Sequence, residues 1–181
     1  MRFLFCLLAF SSLNATEIEL LLPVNAASRP RVNLQVQIPS GFKSIQTLKE
    51  FESPTQTLLE FIPENEDPDN WTEIITVFKY IANQVSAPEL VGRIKKSLIE
   101  KNYAKVLTES NKDFKNYKHA TLAVDYIFQN HMEVLGMIYD SGPYDCSGVQ
   151  YTIRPSREQT SAEVLKKINN FFKSNTQIIE F

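Results

Sequence analysis

The sequence predicts an α+β protein with a central antiparallel sheet of about six to seven strands, packed by two main amphipathic helices. Several segments alternate apolar and polar residues with a period of two, as half-buried strands do. Two other segments, 86–102 and 157–174, place their apolar residues at helical spacing instead. With 43% hydrophobic and 11% aromatic residues among 181, the chain has the composition of a folded domain.

The N-terminus predicts an exported protein. Arg2 precedes the apolar segment 3–10, and Ser11, Ser12 and Asn14 follow before Ala15, which is the layout of a secretory signal peptide. We therefore expect residues 1–15 to be a signal peptide and residues 16–181 to form a single domain, periplasmic or secreted. No other segment has the roughly 18 apolar residues that span a bilayer, so no transmembrane segment is expected after cleavage.

The first half of the mature chain predicts three strands. Residues 32–38 alternate, and further strands are expected at residues 57–63 and 71–81. Apolar residues occupy both faces of 71–81, which predicts a central strand. The acidic segment 64–70 holds turn formers and no apolar residue, as a solvated hairpin loop does. Residues 42–53 fit either a short helix or an irregular connection.

Two helices are predicted to cover the sheet. The first begins at Ser86, a candidate N-cap, with Pro88 in its first turn. The second begins with a capping box between Thr160 and Glu163, and its apolar stripe ends in two phenylalanines, 171 and 172. We expect both helices to pack on the same face of the sheet.

Four further strands are expected between the helices. They lie at residues 104–110, 119–129, 133–140 and 147–155. The turns between them are short enough to join antiparallel neighbours. An antiparallel meander is therefore predicted.

The chain lacks the common motifs of nucleotide and metal binding. Its five glycines are scattered, whereas a phosphate-binding loop needs several together. There is no HxH, HxxxH or CxxC spacing, and the acidic loop lacks the glycine and spacing of an EF-hand, so a solvated turn is favoured over a weak divalent site. We expect no metal, no cofactor and no catalytic residue. The net charge of −2 gives no general attraction to nucleic acid.

A small secreted hydrolase is the alternative. His119 or His131 would act with a nearby carboxylate such as Asp140 or Asp145, because catalytic triads are dispersed along a sequence. Cys146 is the only cysteine left after cleavage, and a buried strand residue is the favoured interpretation, with interchain pairing or a reactive thiol as alternatives. Whether the protein is an enzyme is left open, with a non-catalytic role favoured.

Cationic and aromatic residues near the predicted turns are the candidate binding residues. They are Lys112, Lys115, Tyr117, Lys118, His119, Tyr144, Tyr151 and Arg154. Clustered lysines with aromatic residues can contact an acidic protein or acidic lipid head groups, although they also fit a solubilising edge. The tyrosines of segment 140–155 suit a second contact edge. Cations of the first helix and the residues after it, at positions 93, 95, 96, 101 and 105, would enlarge this surface if the two regions adjoin.

Several segments of the sequence resemble the Mog1/PsbP-like group of small α+β proteins. They are IPSGFK after the first strand, LLEFIPENEDPDNWTEIITVFKY, and the closing GVQYTIRP with its helix. The resemblance covers most of the mature chain. The chain looks especially like the small exported members of this group in intracellular Gram-negative bacteria, which resemble substrates of the type II secretion pathway. The resemblance implies a central antiparallel sheet flanked by helices and a non-catalytic binding or assembly role, with no catalytic residue carried over.

Together these features predict an exported, monomeric, non-enzymatic binding protein. Its partner is expected to be a protein or an anionic lipid surface of a host or of the cell envelope. A more specific prediction is that the protein is a secreted, virulence-associated factor. An envelope chaperone is a third possibility, which would require an exposed apolar groove or an unpaired sheet edge.

Overall fold

The computed structural model describes residues 15–18, 32–45, 56–81, 85–143 and 145–180. Apart from Ala15, the predicted signal peptide lies outside the described residues, and so does Tyr144.

Ten strands and two helices are present in these described ranges. In chain order they are β1 (Ala15–Ile18), β2 (Val32–Pro39), β3 (Phe42–Ile45), β4 (Gln56–Pro63), β5 (Glu73–Ile81), α1 (Ala87–Asn102), β6 (Lys105–Asp113), β7 (Lys118–Phe128), β8 (His131–Ser141), β9 (Asp145–Ile153), α2 (Ser161–Asn175) and β10 (Thr176–Glu180). The ambiguous segment after the first alternating run thus begins with a strand, β3.

Seven strands form the main sheet, in the order β3-β4-β5-β9-β8-β7-β6. All neighbouring pairs are antiparallel. The β6 to β9 meander returns to the middle of the sheet, where β9 pairs with β5. The predicted antiparallel meander and the central position of residues 71–81 are therefore confirmed.

A smaller sheet of three strands has the order β1-β2-β10. Leu34, Val36 and Ile38 of β2 are buried in the same cluster as the apolar side chains of α2. The alternating pattern of residues 32–38 correctly identified this buried face. The small sheet and α2 therefore cover one face of the main sheet together.

The two helices lie on opposite faces of the main sheet. On β8, Met137 belongs to the buried cluster of α1, whereas Val134 belongs to the cluster of α2. Successive side chains on a strand point to opposite faces, so a strand that is apolar on both faces needs cover on both. The prediction that both helices share one face is therefore wrong.

The two helix N-termini are capped differently. In α2 the capping box is formed, with Thr160 and Glu163 bonded reciprocally, as predicted. In α1 Ser86 occupies the N-cap position, but its side chain makes no capping bond. The Ala87 N–H donates instead to Ser141 Oγ, at 2.8 Å, which ties the start of α1 to the end of β8. Neither described helix is long and apolar enough to cross a membrane.

The acidic segment 64–70 joins β4 to β5, as predicted for a hairpin loop. Glu66 accepts hydrogen bonds from the backbone and the hydroxyl of Thr72, and Asp67 accepts one from the Asp69 N–H. Two of its carboxylates thus stabilise the loop itself. Within the described ranges, no three histidine, cysteine or acidic side chains are grouped to hold a metal ion.

Candidate functional site

The turn between β6 and β7 borders an open cavity of about 310 Å³. Three segments line it: residues 85–86 before α1, residues 114–118 of the hairpin, and residues 141–143 after β8. We call this feature the basic cavity. It lies at the end of the sheet where α1 begins, because the bond from Ala87 to Ser141 holds the helix there.

One wall of the basic cavity is aromatic and carries two lysines. Phe114 and Tyr117 stack with ring centroids 4.5 Å apart, and the Phe114 N–H donates to the Tyr117 carbonyl at 2.9 Å, closing the turn. Lys115 and Lys118 also line the cavity. None of the ion pairs formed by described residues includes either lysine, so both ammonium groups can meet an external anion.

The third lysine of the hairpin lies on the other face of the sheet. Lys112 is opposite His119, whereas Lys118 is opposite Asp113, one position further along the same strand pair. Because neighbouring residues on a strand point to opposite faces, Lys112 and Lys118 diverge. The hairpin therefore presents its lysines on two surfaces, and Lys112 does not line the cavity.

His119 forms a buried pair with Asp140 of β8. Its Nδ1 lies 2.8 Å from Asp140 Oδ1, and the Asp140 side chain is 0% exposed. Burial raises the pKa of the Asp140 carboxyl, while the hydrogen bond and the charge of His119 act in the opposite direction. Among the described groups, Asp140 Oδ2 and the Oγ of Ser147, which faces Asp140 from β9, have no hydrogen-bond partner.

These three residues do not have the geometry of a catalytic triad. His119 and Ser147 flank Asp140 from opposite sides, on strands β7 and β9, so their backbones are separated by two strand spacings, about 9.6 Å. A triad needs the histidine between the acid and the nucleophile. The His119 imidazole bonds to Asp140, and no hydroxyl among the described residues bonds to it.

The other candidate groups of the hydrolase hypothesis do not complete a catalytic site with this pair. His131 is exposed at the start of β8, at the opposite end of that strand from Asp140. Cys146 is fully buried, and burial, followed by the charges of Asp140 and Asp145, raises the pKa of its thiol to about 12. A thiol with so high a pKa is a poor nucleophile at neutral pH, which agrees with the buried-strand interpretation.

Tyr151 and Arg154 lie away from the basic cavity. Tyr151 is buried against Phe171, with ring centroids 4.8 Å apart, and its hydroxyl donates to Glu73. Burial and this bond raise the pKa of the Tyr151 hydroxyl above its usual range. Because β9 begins at Asp145 and runs to Ile153, these residues are about 20 to 30 Å from the turn that starts it. The predicted second edge is thus not continuous with the first.

Arg154 is engaged within the protein. Its Nε donates to Glu133 Oε1 at 2.9 Å, and its guanidinium carbon lies 3.8 Å from the centre of the Trp71 ring. It closes a network at the far end of the sheet, since Glu133 also accepts from the Tyr126 hydroxyl at 2.5 Å.

The cations of α1 do not extend the basic cavity. Arg93 pairs with Glu89, Lys95 with Glu109 and Lys96 with Glu100. Two of these pairs have the i,i+4 spacing that stabilises helices and was visible in the sequence. The residues that sequence reasoning missed are those of segments 85–86 and 141–143, which approach the hairpin only through the tertiary fold.

Comparisons with known proteins identify the fold. No protein-family model and no curated protein matches the chain. The solution structure of the cyanobacterial PsbP protein (CyanoP) from Synechocystis matches with a TM-score of 0.52 and 10% identity, covering 86% of this chain and 95% of that one. The crystal structure of LpqN, involved in cell envelope biogenesis of Mycobacterium tuberculosis, matches with a TM-score of 0.52 and 10% identity, covering 91% of each chain.

The protein is thus an α+β protein with a PsbP-like fold, as the resemblance in its sequence implied. At 10% identity the likeness identifies the fold and leaves function to be argued from the site. The likeness to type II secretion substrates stays a prediction.

Proposed function

We propose that this protein is an exported, non-enzymatic binding protein of the cell envelope, and that its basic cavity takes up an anionic group of the partner. Export is supported by the leader-like segment 1–15, and an envelope role by the structural likeness to LpqN. Release through type II secretion and a virulence-associated role rest on the sequence resemblance alone.

The observation that carries this proposal is the position of Lys115 and Lys118 beside the stacked pair of Phe114 and Tyr117. A volume of about 310 Å³ accommodates a phosphate-bearing head group or a carboxylate side chain. Lysine is a flexible point charge that accepts either anion, and the aromatic rings provide an apolar wall for the rest of the ligand. Asp113, opposite Lys118, moderates the positive potential.

A matched set of lysine variants tests the proposal. We compare Lys115→Ser/Lys118→Ser with Lys112→Ser, which removes one charge from the same hairpin but from the other face. The probes are glycerol phosphate, the soluble head group of phosphatidylglycerol, and poly-glutamate, so that a lipid head group and an acidic polypeptide are separate arms. Each lysine near an anionic surface contributes about 1 kcal/mol. The double variant should therefore bind the preferred probe about 30-fold more weakly.

The control defines what would contradict the proposal. Lys112→Ser should change the affinity by less than about threefold, and added salt should weaken wild-type binding. If Lys112→Ser were as damaging as the double variant, binding would reflect net charge and not the cavity. If neither probe bound the wild type, the anionic partner would be refuted.

The His119–Asp140 pair is the observation that favours the alternative hydrolase. It supplies a histidine held by a buried carboxylate but no adjacent nucleophile in the described ranges. Hydrolysis of p-nitrophenyl acetate by the wild type and by His119→Ala tests this alternative. An activity well above that of free imidazole, lost in His119→Ala, would replace the binding proposal with an enzymatic one.

The edge strand β6 does not favour the chaperone hypothesis. It exposes Lys105, Glu109 and Lys112, and its pairing register shifts between Val106 and Thr108. Charged residues and irregular register on an edge strand prevent the addition of another strand. This edge is therefore a poor acceptor for a client segment.

A further inference from the structure

The hairpin formed by β7 and β8 protrudes beyond both neighbouring strands. β6 begins its pairing with β7 at Asp125, and β9 ends its pairing with β8 at Val134. Residues 126–128 and 131–133 therefore pair only with each other. Since Glu133 is buried, the projecting part is residues 127–132, about 7 Å at 3.3 Å per residue. We call residues 127–132 the apolar finger.

A tight turn and a polar network fix the shape of the finger. Gln129 and Asn130 have φ values of 48° and 66°, as the two-residue turn of a type I′ hairpin requires. At the base, Tyr126 donates to Glu133, which also accepts from Arg154. The finger is thus a supported projection of the sheet.

The finger exposes large apolar side chains on both of its faces. Ile127 is 53% exposed, and Phe128 and Met132 are each 42% exposed. Ile127 and Met132 are opposite each other and, by alternation from Val134, lie on the α2 side. Phe128, by alternation from Val124, lies on the α1 side. The segment 127–132 contains no acidic residue and no lysine or arginine.

Exposed apolar side chains are concentrated at this end of the protein. Seven large apolar side chains are exposed in the described ranges: Ile99, Tyr103, Val106, Phe114, Ile127, Phe128 and Met132. All except Phe114 lie at the finger end, where α1 ends and β6 begins. Tyr103, at the C-cap of α1, is 91% exposed, and Lys101 and Lys105 flank it in the sequence. Such a concentration marks an interaction surface.

We propose that this end of the protein inserts into the interfacial region of a phospholipid bilayer. A protein groove would cover one face of the two-stranded finger, whereas a finger that is apolar on both faces requires a medium that surrounds it. Aromatic residues and lysines beside an apolar tip match the bilayer interface, where an amphipathic ring or a lysine stem can lie while its polar end stays hydrated.

The attraction is hydrophobic and does not depend on anionic lipid. The acidic loop 64–70 lies at the same end of the sheet, because β5 starts where β9 ends, and its carboxylates offset the flanking lysines. The basic cavity lies at the opposite ends of β7 and β8. Since each of these strands has 11 residues, the cavity is about 35 Å from the tip and faces away from the bilayer. The two surfaces therefore act independently.

Co-sedimentation with vesicles of phosphatidylcholine alone tests this inference, since this zwitterionic lipid gives the vesicle no net negative charge to attract the basic cavity. The wild type should bind, and high salt should leave the binding intact. Phe128→Ser/Met132→Ser should bind at least about tenfold more weakly. Lys112→Ser is the control, because Lys112 is exposed towards the other end of the sheet and does not line the basic cavity, and it should bind as the wild type does.

Insertion depth provides a second readout. In Trp71→Phe/Phe128→Trp, brominated phosphatidylcholine should quench the new tryptophan.

The inference is overturned if the wild type does not bind neutral vesicles, if the control is as defective as the double variant, or if the bound protein is not quenched. Light scattering that shows a wild-type dimer, converted to a monomer by Phe128→Ser/Met132→Ser, would assign the surface to a second copy instead. Because these side chains are exposed, the serine variants should fold, which circular dichroism verifies.

Discussion

His119 and Asp140 form an ionisable pair between neighbouring strands, with the imidazole Nδ1 2.8 Å from the carboxylate Oδ1. The carboxyl is fully buried, and burial raises its pKa despite the bond to the histidine. The folded state therefore holds the Asp140 proton more tightly than the unfolded chain does.

This relationship predicts a pH dependence of stability. A carboxyl with a raised pKa in the folded state contributes stability at pH values below its unfolded pKa, near 3.8, and the contribution is lost as pH rises through the folded pKa. Between acidic and neutral pH, the free energy of unfolding of the wild type should thus fall relative to that of Asp140→Asn. Urea unfolding at a series of pH values measures both.

The histidine supplies the control for this pH experiment. The bond and charge of His119 lower the Asp140 pKa, so His119→Gln should raise that pKa further and move the loss of stability to higher pH. Parallel stability curves for the wild type and Asp140→Asn would show that Asp140 does not titrate differently on folding.

The contact between β8 and α2 predicts a severe effect of one added methyl group. A Cβ at Gly136 would lie 2.3 Å from Ile168 Cγ2 and 3.1 Å from Phe172, so Gly136→Ala must displace the Ile168 side chain or the helix that carries it. Overpacking of this kind costs about 1–3 kcal/mol. Gly92→Ala in α1 is the control, because nothing lies within 4 Å of its added Cβ and alanine should stabilise the helix by about 0.8 kcal/mol. Equal effects of the two substitutions in urea unfolding would contradict this packing.

The two helix N-termini predict unequal effects of removing a cap. Thr160→Ala removes a side chain that accepts from the Glu163 N–H and should lower the free energy of unfolding by about 1 kcal/mol. Ser86→Ala removes a side chain without a capping bond and should change it by less than about 0.5 kcal/mol. Chemical denaturation measures both, and a larger loss for Ser86→Ala would reverse the assignment.

The features that the sequence predicted well depend on local patterns. The capping box and the buried Phe171 and Phe172 of α2 follow from residues within a few turns of each other. The central position of β5 follows from apolar residues on both of its faces. The same logic applies to β8, whose buried stretch covers residues 133–137, and would have indicated a helix on each face of the sheet.

The candidate site was harder to predict because it depends on distant parts of the chain. The basic cavity requires the start of α1 and the end of β8 to meet the hairpin, and the bond from Ala87 to Ser141 that joins the first two spans 54 positions. The distance of Arg154 from the basic cavity could have been anticipated locally, because the nine-residue strand β9 that precedes it extends about 30 Å.

The network around Arg154 predicts a large, separable loss of stability. Arg154→Ala leaves the buried carboxylate of Glu133 without its cation, and breaking a buried ion pair costs about 3–5 kcal/mol. Because Glu133 keeps its bond with Tyr126, we expect the loss of stability to lie at the lower end of this range, about 3 kcal/mol. Thermal or urea unfolding measures the loss, and the fluorescence of Trp71 should change because the guanidinium 3.8 Å from its ring is gone.

A double variant separates the ion pair from simple packing. In Arg154→Met/Glu133→Gln the buried charge is removed together with its partner, so at least half of the loss should be recovered. Trp71 fluorescence should still differ from that of the wild type, since methionine carries no cation. The double variant could instead be as unstable as Arg154→Ala. The loss of stability would then come from the missing contacts of the guanidinium with Trp71, including the bond to the Trp71 carbonyl at 3.2 Å, and not from an unpaired Glu133. The apolar finger would then depend on Arg154 through packing, and its binding to neutral vesicles would weaken equally in both variants.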